Sequence, residues 1–205
     1  MKKKRRPWAH QVDAMNYCRQ EKHPALFMDM RLGKNLVTIR RIKMYKPLDA
    51  DQGLRVLIVP PGSAIESWEE DLDLEGETDV SLIMASTRKK RKQLLMDGHK
   101  WNIINKEGFL AVPEIGGREH CELCGGSGKN PETKKSCGRC HGLGSIGMGE
   151  LPVNWDAAVL DESTSIKNPK AKITKFFLRT FRDCPHRWIL AGMPNPEGPL
   201  EFWSQ

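Results

Sequence analysis

The sequence predicts an α/β fold in which helices cover both faces of a parallel β-sheet. Six short apolar segments recur along the chain, and amphipathic segments separate most of them. The strands of a parallel sheet are buried on both faces and are connected by helical crossovers, which is the pattern seen here. With 205 residues, 39% of them hydrophobic, the chain is long enough for one full α/β domain and a small insertion.

The apolar segments are the predicted strands. They are ALFM (25–28), LRVLIV (54–59), VSLIM (80–84), WNIIN (101–105), DAAVLD (156–161) and HRWILAG (186–192). Helices are predicted where apolar side chains recur at helical spacing, at 8–21 and around 35–46, 63–72, 87–97 and 170–181. The first of these helices is expected to end at His23-Pro24, because the residue before a proline disfavours the helical conformation.

The alternation stops between residues 113 and 152. Glycine and proline are frequent there, and four of the six cysteines of the chain lie in this segment. We therefore predict a lobe formed by residues 1–112 and 153–205 and an insertion formed by residues 113–152. Cys18 and Cys184, outside the insertion, are expected to be buried thiols.

The insertion has the ligand spacing of a structural zinc site. Its two C-x-x-C pairs, separated by twelve residues, are formed by Cys121, Cys124, Cys137 and Cys140. Four thiolates complete the tetrahedral shell of one Zn²⁺ ion and leave His141 outside it. Each pair continues as C-x-x-C-x-G-x-G, with Gly126 and Gly128 after the first and Gly142 and Gly144 after the second. These glycines are expected to let backbone N–H groups approach the sulfurs.

This glycine-cysteine repeat resembles the zinc module of DnaJ-type chaperones, of which about half is present. A chaperone function is not expected, because the insertion is too small and an H-P-D motif is absent. Three roles for the insertion stay open: a structural staple of a long insertion, a nucleic-acid contact or a protein-docking site. The nucleic-acid contact would use the basic residues Lys129, Lys134, Lys135 and Arg139.

Charge favours an anionic partner without requiring one. Lys and Arg outnumber Asp and Glu by 33 to 26, which gives a net charge of +7. The densest basic runs, KKKRR (2–6) and RKKRK (88–92), either contact phosphates or form solvated surfaces. The sequence has no apolar run of membrane-spanning length and no secretory signal, so we expect an intracellular protein without a membrane partner.

Two further segments favour a phosphate-binding loop and a magnesium site. Taken singly, the alternatives are an ordinary helix start for the first segment and a surface Asp-Glu pair for the second. In LFMDMRLGKNLVTI (26–39), Gly33 and Lys34 stand between a strand and a helix, where backbone N–H groups and a lysine would hold phosphates. In DAAVLDE (156–162), Asp161 and Glu162 follow a strand, where one carboxylate would hold Mg²⁺ through water and the next would orient the attacking water. Asn35 occupies the place at which such loops carry a hydroxyl.

Six segments in order resemble motifs in the first RecA-like lobe of superfamily-2 helicases, closest to the Swi/Snf-type DNA translocases of compact phage or bacterial style. The segments are RRPWAHQ (5–11), DMRLGKN (29–35), VPPGSAIESWEEDL (59–72), IINKE (103–107), VLDESTSIKNPKAKITK (159–175) and RWILAGMPNPEGPLEFW (187–203). Ser63 and Trp68 match their positions in the third motif, and Trp68 is expected to be a core or lobe-packing residue.

The resemblance implies a site, cofactors and partners. The implied cofactors are ATP with Mg²⁺, and the catalytic residues are Lys34, Asp161 and Glu162, with Asp161 as the magnesium ligand. Nucleotide binding is implied for Gln11, which would read the adenine edge, and for the loop residues Arg31, Leu32, Gly33, Lys34 and Asn35. The implied partners are DNA, expected to be double-stranded and held by its backbone, and a second RecA-like lobe. The cytoplasm of a bacterial or phage-infected cell is the implied location.

The departures from the family pattern leave two functions open. Arg31 replaces a glycine, Asn35 and Met193 replace threonines, and Thr164 replaces a histidine. In the family the second lobe supplies arginines that complete the transition state, and it would have to come from another chain or be missing from this one. The chain is therefore either the ATP-binding lobe of an ATP-dependent helicase or translocase, slow or inactive alone, or a hydrolysis-deficient nucleotide-, DNA- or protein-binding module.

Overall fold

A parallel sheet forms the centre of the structure. The computed structural model describes residues 5–112, 115, 118–147, 154–169 and 171–192, apart from the side chains of Arg88 and Lys172. The strands are β1 (Ala25–Phe27), β2 (Val56–Val59), β3 (Val80–Leu82), β4 (Trp101–Ile103), β5 (Arg118–His120), β6 (Ser145–Gly147), β7 (Ala157–Asp161) and β8 (His186–Ala191). Within these residues, six strands pair in parallel in the order β1-β8-β7-β2-β4-β3, and β5 and β6 form a separate antiparallel hairpin.

Helices connect the strands of the sheet, as the sequence predicts. They are α1 (Ala9–Gln20), α2 (Lys34–Ile42), α3 (Ile65–Leu74), α4 (Arg88–Met96), α5 (Lys106–Ala111) and α6 (Lys172–Thr180). All except α5 lie within the predicted segments or extend beyond them by at most two residues, since α2 begins one residue before its segment and α3 ends two residues after its segment. The short α5 begins after Asn105, whose side-chain oxygen accepts a hydrogen bond from the Gly108 N–H at 2.9 Å. Six residues are too few to show a helical repeat of apolar positions, so the sequence does not predict this helix.

Two hydrophobic layers confirm that helices cover both faces. Because successive strand residues point to opposite faces, Val56 and Ile58 of β2 pack in one layer and Leu57 and Val59 in the other. The first layer includes residues from α1, α2 and α3, among them the fully buried Trp68. The second includes residues from α4, α5 and α6. The predicted α/β fold and the predicted core position of Trp68 are both confirmed.

The parallel arrangement brings distant segments to one edge of the sheet. All six strands end at this carboxyl edge. The loop after β1 contains Gly33, β7 ends at Asp161, and the single strand β8 lies between β1 and β7. Loops after neighbouring parallel strands form the usual ligand crevice of such sheets.

The β5–β6 hairpin belongs to the cysteine-rich segment, which enters after α5 and returns to β7. At its entrance, Ile115 packs in the second hydrophobic layer, and its carbonyl accepts a hydrogen bond from the indole of Trp155 at 3.4 Å. The hairpin is thus held close to the lobe at its base. No helix in the described part of the chain is long and apolar enough to span a bilayer.

Candidate nucleotide site and metal centre

A cavity of about 610 Å³ lies at the carboxyl edge between the loop after β1 and the end of β7. Its walls bring together most of the site residues that the sequence predicts. They are Gln11, Arg31, Gly33, Lys34, Asn35, Asp161 and Glu162. Leu32 is not a wall residue, but its carbonyl oxygen accepts hydrogen bonds from side chains of α1. A volume of this order is typical of a small-ligand site.

Gly33 and Lys34 form the centre of the loop. Gly33 has a φ of +84°, and a Cβ there would lie 2.4 Å from Nε2 of Gln11, so any side chain would collide with that amide. Lys34, the first residue of α2, is largely buried, and its ammonium donates to the carbonyl oxygens of Met28 at 2.8 Å and Asp29 at 3.3 Å. Lys34 is therefore held close to the loop, at the helix N-terminus where an anion is favoured.

Gln11 ties α1 to the loop. Its side-chain oxygen accepts from the Trp8 N–H at 3.0 Å, and its Nε2 donates to the Leu32 carbonyl at 2.9 Å. An amide oxygen accepts two hydrogen bonds and an NH₂ group donates two, so each end of Gln11 retains capacity for a ligand. Its adenine-reading role stays a prediction. Trp8, at the start of α1, also lines the cavity with 63% of its surface exposed.

The carboxylate of Asp161 is fixed in orientation by two donors. The buried indole of Trp68 donates to Oδ2 at 3.0 Å, and the Glu162 N–H donates to Oδ1 at 3.0 Å. The sequence predicted Trp68 as a core residue, and the structure adds a polar contact to the predicted magnesium ligand. A ligating carboxylate held by such outer contacts is preorganised for a metal or for metal-bound water.

Lys106 contacts the predicted site, although no motif in the sequence assigns it a role there. Its ammonium donates to the carbonyl oxygen of Glu162 at 3.0 Å, and Glu162 adopts a left-handed conformation with φ 51°. Burial lowers the pKa of Lys106 from its ordinary value, although the carboxylates of Asp161 and Glu162 oppose this effect. Lys106 therefore connects the segment after β4 to the Asp161-Glu162 turn at the end of β7.

The side chain of Asn35 forms a hydrogen bond to Asp71 of α3. Its Nδ2 donates to Oδ2 of Asp71 at 3.0 Å, and Oδ1 of Asp71 forms an ion pair with Arg5 at 2.8 Å. Asp71 lies 36 positions after Asn35, so no local motif indicates this contact. The sequence does contain one indication that Asp71 lies near the site: it follows Trp68 by three residues and therefore lies near the same face of α3.

Arg31 replaces the family's glycine in a left-handed conformation, with φ 66°. We expect Arg31→Gly to stabilise the protein by about 0.5–1 kcal/mol, because relief of the strain exceeds the extra backbone entropy of glycine. For a chain of this size the melting temperature should rise by roughly 2 °C. Arg31→Ala is the control, since it removes the charge but keeps a Cβ at positive φ. An equal rise in both variants would show that charge, rather than backbone strain, is responsible.

The four predicted zinc ligands converge in the cysteine-rich segment. Their Sγ atoms all lie within 4.8 Å of one another and are buried. The Cys121–Cys137 and Cys124–Cys140 sulfurs are 3.9 and 3.7 Å apart. Sulfurs at tetrahedral positions around a metal with bonds of about 2.3 Å would lie roughly 3.8 Å apart. The donor set and its spacing thus fit a zinc ion.

Two structural requirements explain the glycines of the repeat. The N–H groups of Gly128 and Gly144 donate to the sulfurs of Cys124 and Cys140 at 3.3 and 3.2 Å, which confirms the predicted approach. The two halves of the repeat also pack backbone against backbone. A Cβ on Gly128 would lie 2.3 Å from the Gly142 oxygen, and one on Gly144 would lie 2.2 Å from the Gly126 oxygen. This second requirement was not foreseen.

Several predicted features lie outside the described residues. They include Met193 and the other residues of the last motif from 194 to 203, Lys170, and the lysines of the first basic run. Thr164, at the family's histidine position, lies in a 3₁₀ turn (Ser163–Ile166) directly after the two carboxylates. The N-terminal Arg5 and Arg6 line the nucleotide cavity.

Comparison with solved structures confirms a RecA-like fold. The Sulfolobus solfataricus SWI2/SNF2 ATPase core in complex with double-stranded DNA matches 99% of this chain with a TM-score of 0.68 and 19% identity. The UvsW helicase from bacteriophage T4 matches 98% with a TM-score of 0.60 and 11% identity. This chain spans 35% and 57% of those two chains.

Sequence comparison gives local matches to curated proteins. The TATA-binding protein-associated factor mot1 of Aspergillus fumigatus is 49% identical over 53 residues, and that of Schizosaccharomyces pombe is 43% identical over 56 residues. Each match covers 26% of this chain and 3% of the relative. The chain matches no protein-family model. These relatives are fungal, so they give no support to a bacterial or phage origin, which stays a prediction.

Proposed function

We propose that this chain is the ATP-binding lobe of an ATP-dependent DNA helicase or translocase of the Swi/Snf type. One observation carries the proposal: the phosphate-loop lysine and the Asp161-Glu162 pair line the same cavity at the carboxyl edge of a RecA-like sheet. The helicase-like solved structures and the local likeness to the mot1 proteins support it. A second lobe, in another chain or outside this one, would complete the enzyme.

Each site residue has a proposed role within this function. Lys34 and the N-terminus of α2 would hold the outer phosphates, while Gln11 would bind the adenine edge. Asp161 would hold Mg²⁺ through water, and Glu162 would orient the attacking water. When bound, Mg²⁺ would neutralise charge on the phosphates. Trp68 and Lys106 would act through the two carboxylates, as residues that position them.

The other half of the carboxyl edge is the proposed DNA surface. Helix α4 begins there, after β3, and Lys89, Lys90 and Lys92 in its first turns are exposed. Cations at a helix N-terminus oppose the helix dipole, so this arrangement costs stability unless phosphates offset it. A cleft of about 260 Å³ beside α4 is lined by Met84, Arg91 and other residues. The DNA backbone is therefore proposed to cross the ends of β3 and β4.

The cysteine-rich segment is proposed to bind one structural Zn²⁺ ion. The buried thiols and their N–H···S contacts support this role. The four ligands leave no position for a substrate, so catalysis by the metal is not expected. Zinc binding would instead provide the folding free energy of a segment that has few apolar side chains of its own.

One observation favours a second candidate function, a hydrolysis-deficient binding module. At the position where the family has a magnesium-binding hydroxyl, Asn35 offers an amide whose NH₂ group is bonded to Asp71. Phosphoryl transfer depends on exact positioning and charge stabilisation, so a displaced Mg²⁺ would impair turnover more than nucleotide binding. The two candidates predict the same fold and the same ligands and differ in turnover after a second lobe is added.

Equilibrium binding of ATP and of duplex DNA to the full chain tests the proposal. We expect saturable ATP binding that weakens when Mg²⁺ is chelated. For DNA, the triple variant Lys89→Gln, Lys90→Gln, Lys92→Gln should lower affinity about fivefold and reduce the slope of log K against log salt, because fewer phosphates are neutralised. The matched control is a triple variant of exposed basic residues elsewhere, Arg19→Gln, Lys22→Gln and Lys46→Gln. Absence of ATP binding at millimolar concentrations would refute the proposal.

A further inference from the structure

A second cavity, of about 310 Å³, lies at the junction between the cysteine-rich segment and helices α5 and α6. It shares no lining residue with the nucleotide cavity. From the cysteine-rich side come Arg118, His120, Leu143 and Ser145, together with glycines of the repeat. From the lobe come Leu110 of α5 and Lys175, Phe176 and Arg179 of α6. Its volume falls in the range of about 300–1,000 Å³ that small-ligand sites occupy.

Three cations converge on this junction cavity. Lys175 and Arg179 are four residues apart on α6, hence on one face, and both are exposed. Arg118 comes from the cysteine-rich side, where its Nε and Nη2 donate to the side-chain and backbone oxygens of Ser145 at 3.0 and 2.6 Å. Because Arg118 and Arg179 line the same cavity, their like charges repel each other. Burial and the charge of Arg179 lower the pKa of Arg118, whereas Cys140 opposes this effect.

No ion pair among the described residues offsets this repulsion. The described residues that line the cavity include no Asp or Glu. Among the described residues, Lys175 and Arg179 form no ion pair, and Nη1 of Arg118 has no hydrogen-bond partner. Like charges held together without a counterion destabilise a fold, and a bound anion would reverse that cost. Guanidinium groups at a fixed spacing are well suited to phosphate oxygens.

Two apolar side chains also line the cavity. Phe176 is partly exposed and packs against Phe109, with ring centroids 4.8 Å apart. Leu143, 43% exposed, comes from the cysteine-rich side. An aromatic ring beside a basic groove is the usual arrangement for stacking one base while its phosphate is held. In a duplex the bases are stacked on one another, so the phenyl ring would have no partner there.

We propose that the junction cavity binds one nucleotide of a single-stranded nucleic acid, with its phosphate on Arg118, Lys175 and Arg179 and its base against Phe176 and Leu143. The inference rests on the proposed function in one respect, that the polymeric ligand is a nucleic acid. It adds a contact that the nucleotide cavity and the α4 surface do not supply. The proposed contact also gives the cysteine-rich segment a role in ligand binding, in addition to its structural role.

The test measures binding of a fluorescein-labelled 15-residue oligo(dT) to the zinc-loaded full chain over a range of salt concentrations. Lys175→Gln and Arg179→Gln, both at exposed positions, should each lower affinity three- to fivefold and reduce the salt slope by about 0.7. Phe176→Leu should lower affinity about fivefold while leaving the salt slope unchanged, because stacking involves no counterion release. Lys46→Gln, at an exposed lysine of the lobe that does not line the cavity, should match the wild type.

Each outcome bears on the inference. Cavity variants that bind oligo(dT) as tightly as Lys46→Gln would overturn the inference, and equal losses for duplex DNA of the same length would overturn its single-strand preference. Competition by poly-glutamate at lower concentration than by unlabelled oligo(dT) would identify an acidic protein ligand instead. If the wild type binds ATP but the cavity variants behave as the control, only this inference fails. If the wild type binds neither ATP nor nucleic acid, the proposed function fails as well.

Discussion

Gly128→Ala is expected to abolish zinc binding by the cysteine-rich segment. The new Cβ would lie 2.3 Å from the carbonyl oxygen of Gly142, and backbone cannot move aside as a flexible side chain can. The substitution also places alanine at a φ of +75°. Both strains act where the Gly128 N–H must reach the Cys124 sulfur. We expect purified Gly128→Ala protein to contain less than a tenth of the zinc per chain found in the wild type, measured by elemental analysis.

Gly138→Ala is the matched control for this prediction. Gly138 lies between two cysteine ligands, but a Cβ there meets no atom within 4 Å, and its φ is not in the left-handed region. That variant should retain one zinc per chain and resist a chelator as the wild type does. Because the lobe has its own hydrophobic layers, ATP binding should survive in both variants. Full zinc occupancy in Gly128→Ala would show that the close backbone packing of the repeat is not needed for the metal site.

The fold was predictable because its central strands are buried on both faces. Such strands leave continuous apolar runs in the sequence, and all six were found there, with boundaries that differ by a few residues. The antiparallel pair β5 and β6 was not identified. Its strands have three residues each and contain arginine, glutamate, histidine and serine, since the hairpin packs around cysteines instead of an apolar core. Local order of this kind leaves no periodic signal.

The candidate site was predictable only where its residues sit in local motifs. Gly33 and Lys34 were identified between a strand and a helix, and Asp161 and Glu162 at the end of a strand. The ends of parallel strands meet at one edge of the sheet. Asp71 and Lys106 were missed because their roles arise from contacts with residues 36 and 56 positions away. A motif contains only residues that are close together in the chain. It therefore does not predict which residues of other helices the order of the strands places beside the loop.

Asn35→Thr is expected to strengthen Mg²⁺-dependent ATP binding at least tenfold. A threonine hydroxyl is a compact oxygen ligand, which suits the near-octahedral shell of Mg²⁺, whereas the asparagine amide is bulkier and its NH₂ group is bonded to Asp71. A tenfold gain corresponds to about 1.4 kcal/mol. Titration of ATP with and without Mg²⁺ measures it, and the gain should disappear in the chelator. Turnover should stay low in the absence of a second lobe, because completion of the transition state is proposed to require one.

Asn35→Ala separates the two consequences of this change. Both substitutions break the hydrogen bond to Asp71, but only threonine supplies a hydroxyl, so alanine should leave Mg²⁺-dependent affinity near the wild-type value. Equal gains in the two variants would mean that release of Asp71, and not the hydroxyl, improves the site. Asp71 would still pair with Arg5 in either case, at 2.8 Å, so α3 should keep its place. If neither variant alters affinity, position 35 does not contact the metal, and the hydrolysis-deficient alternative loses the observation that favours it.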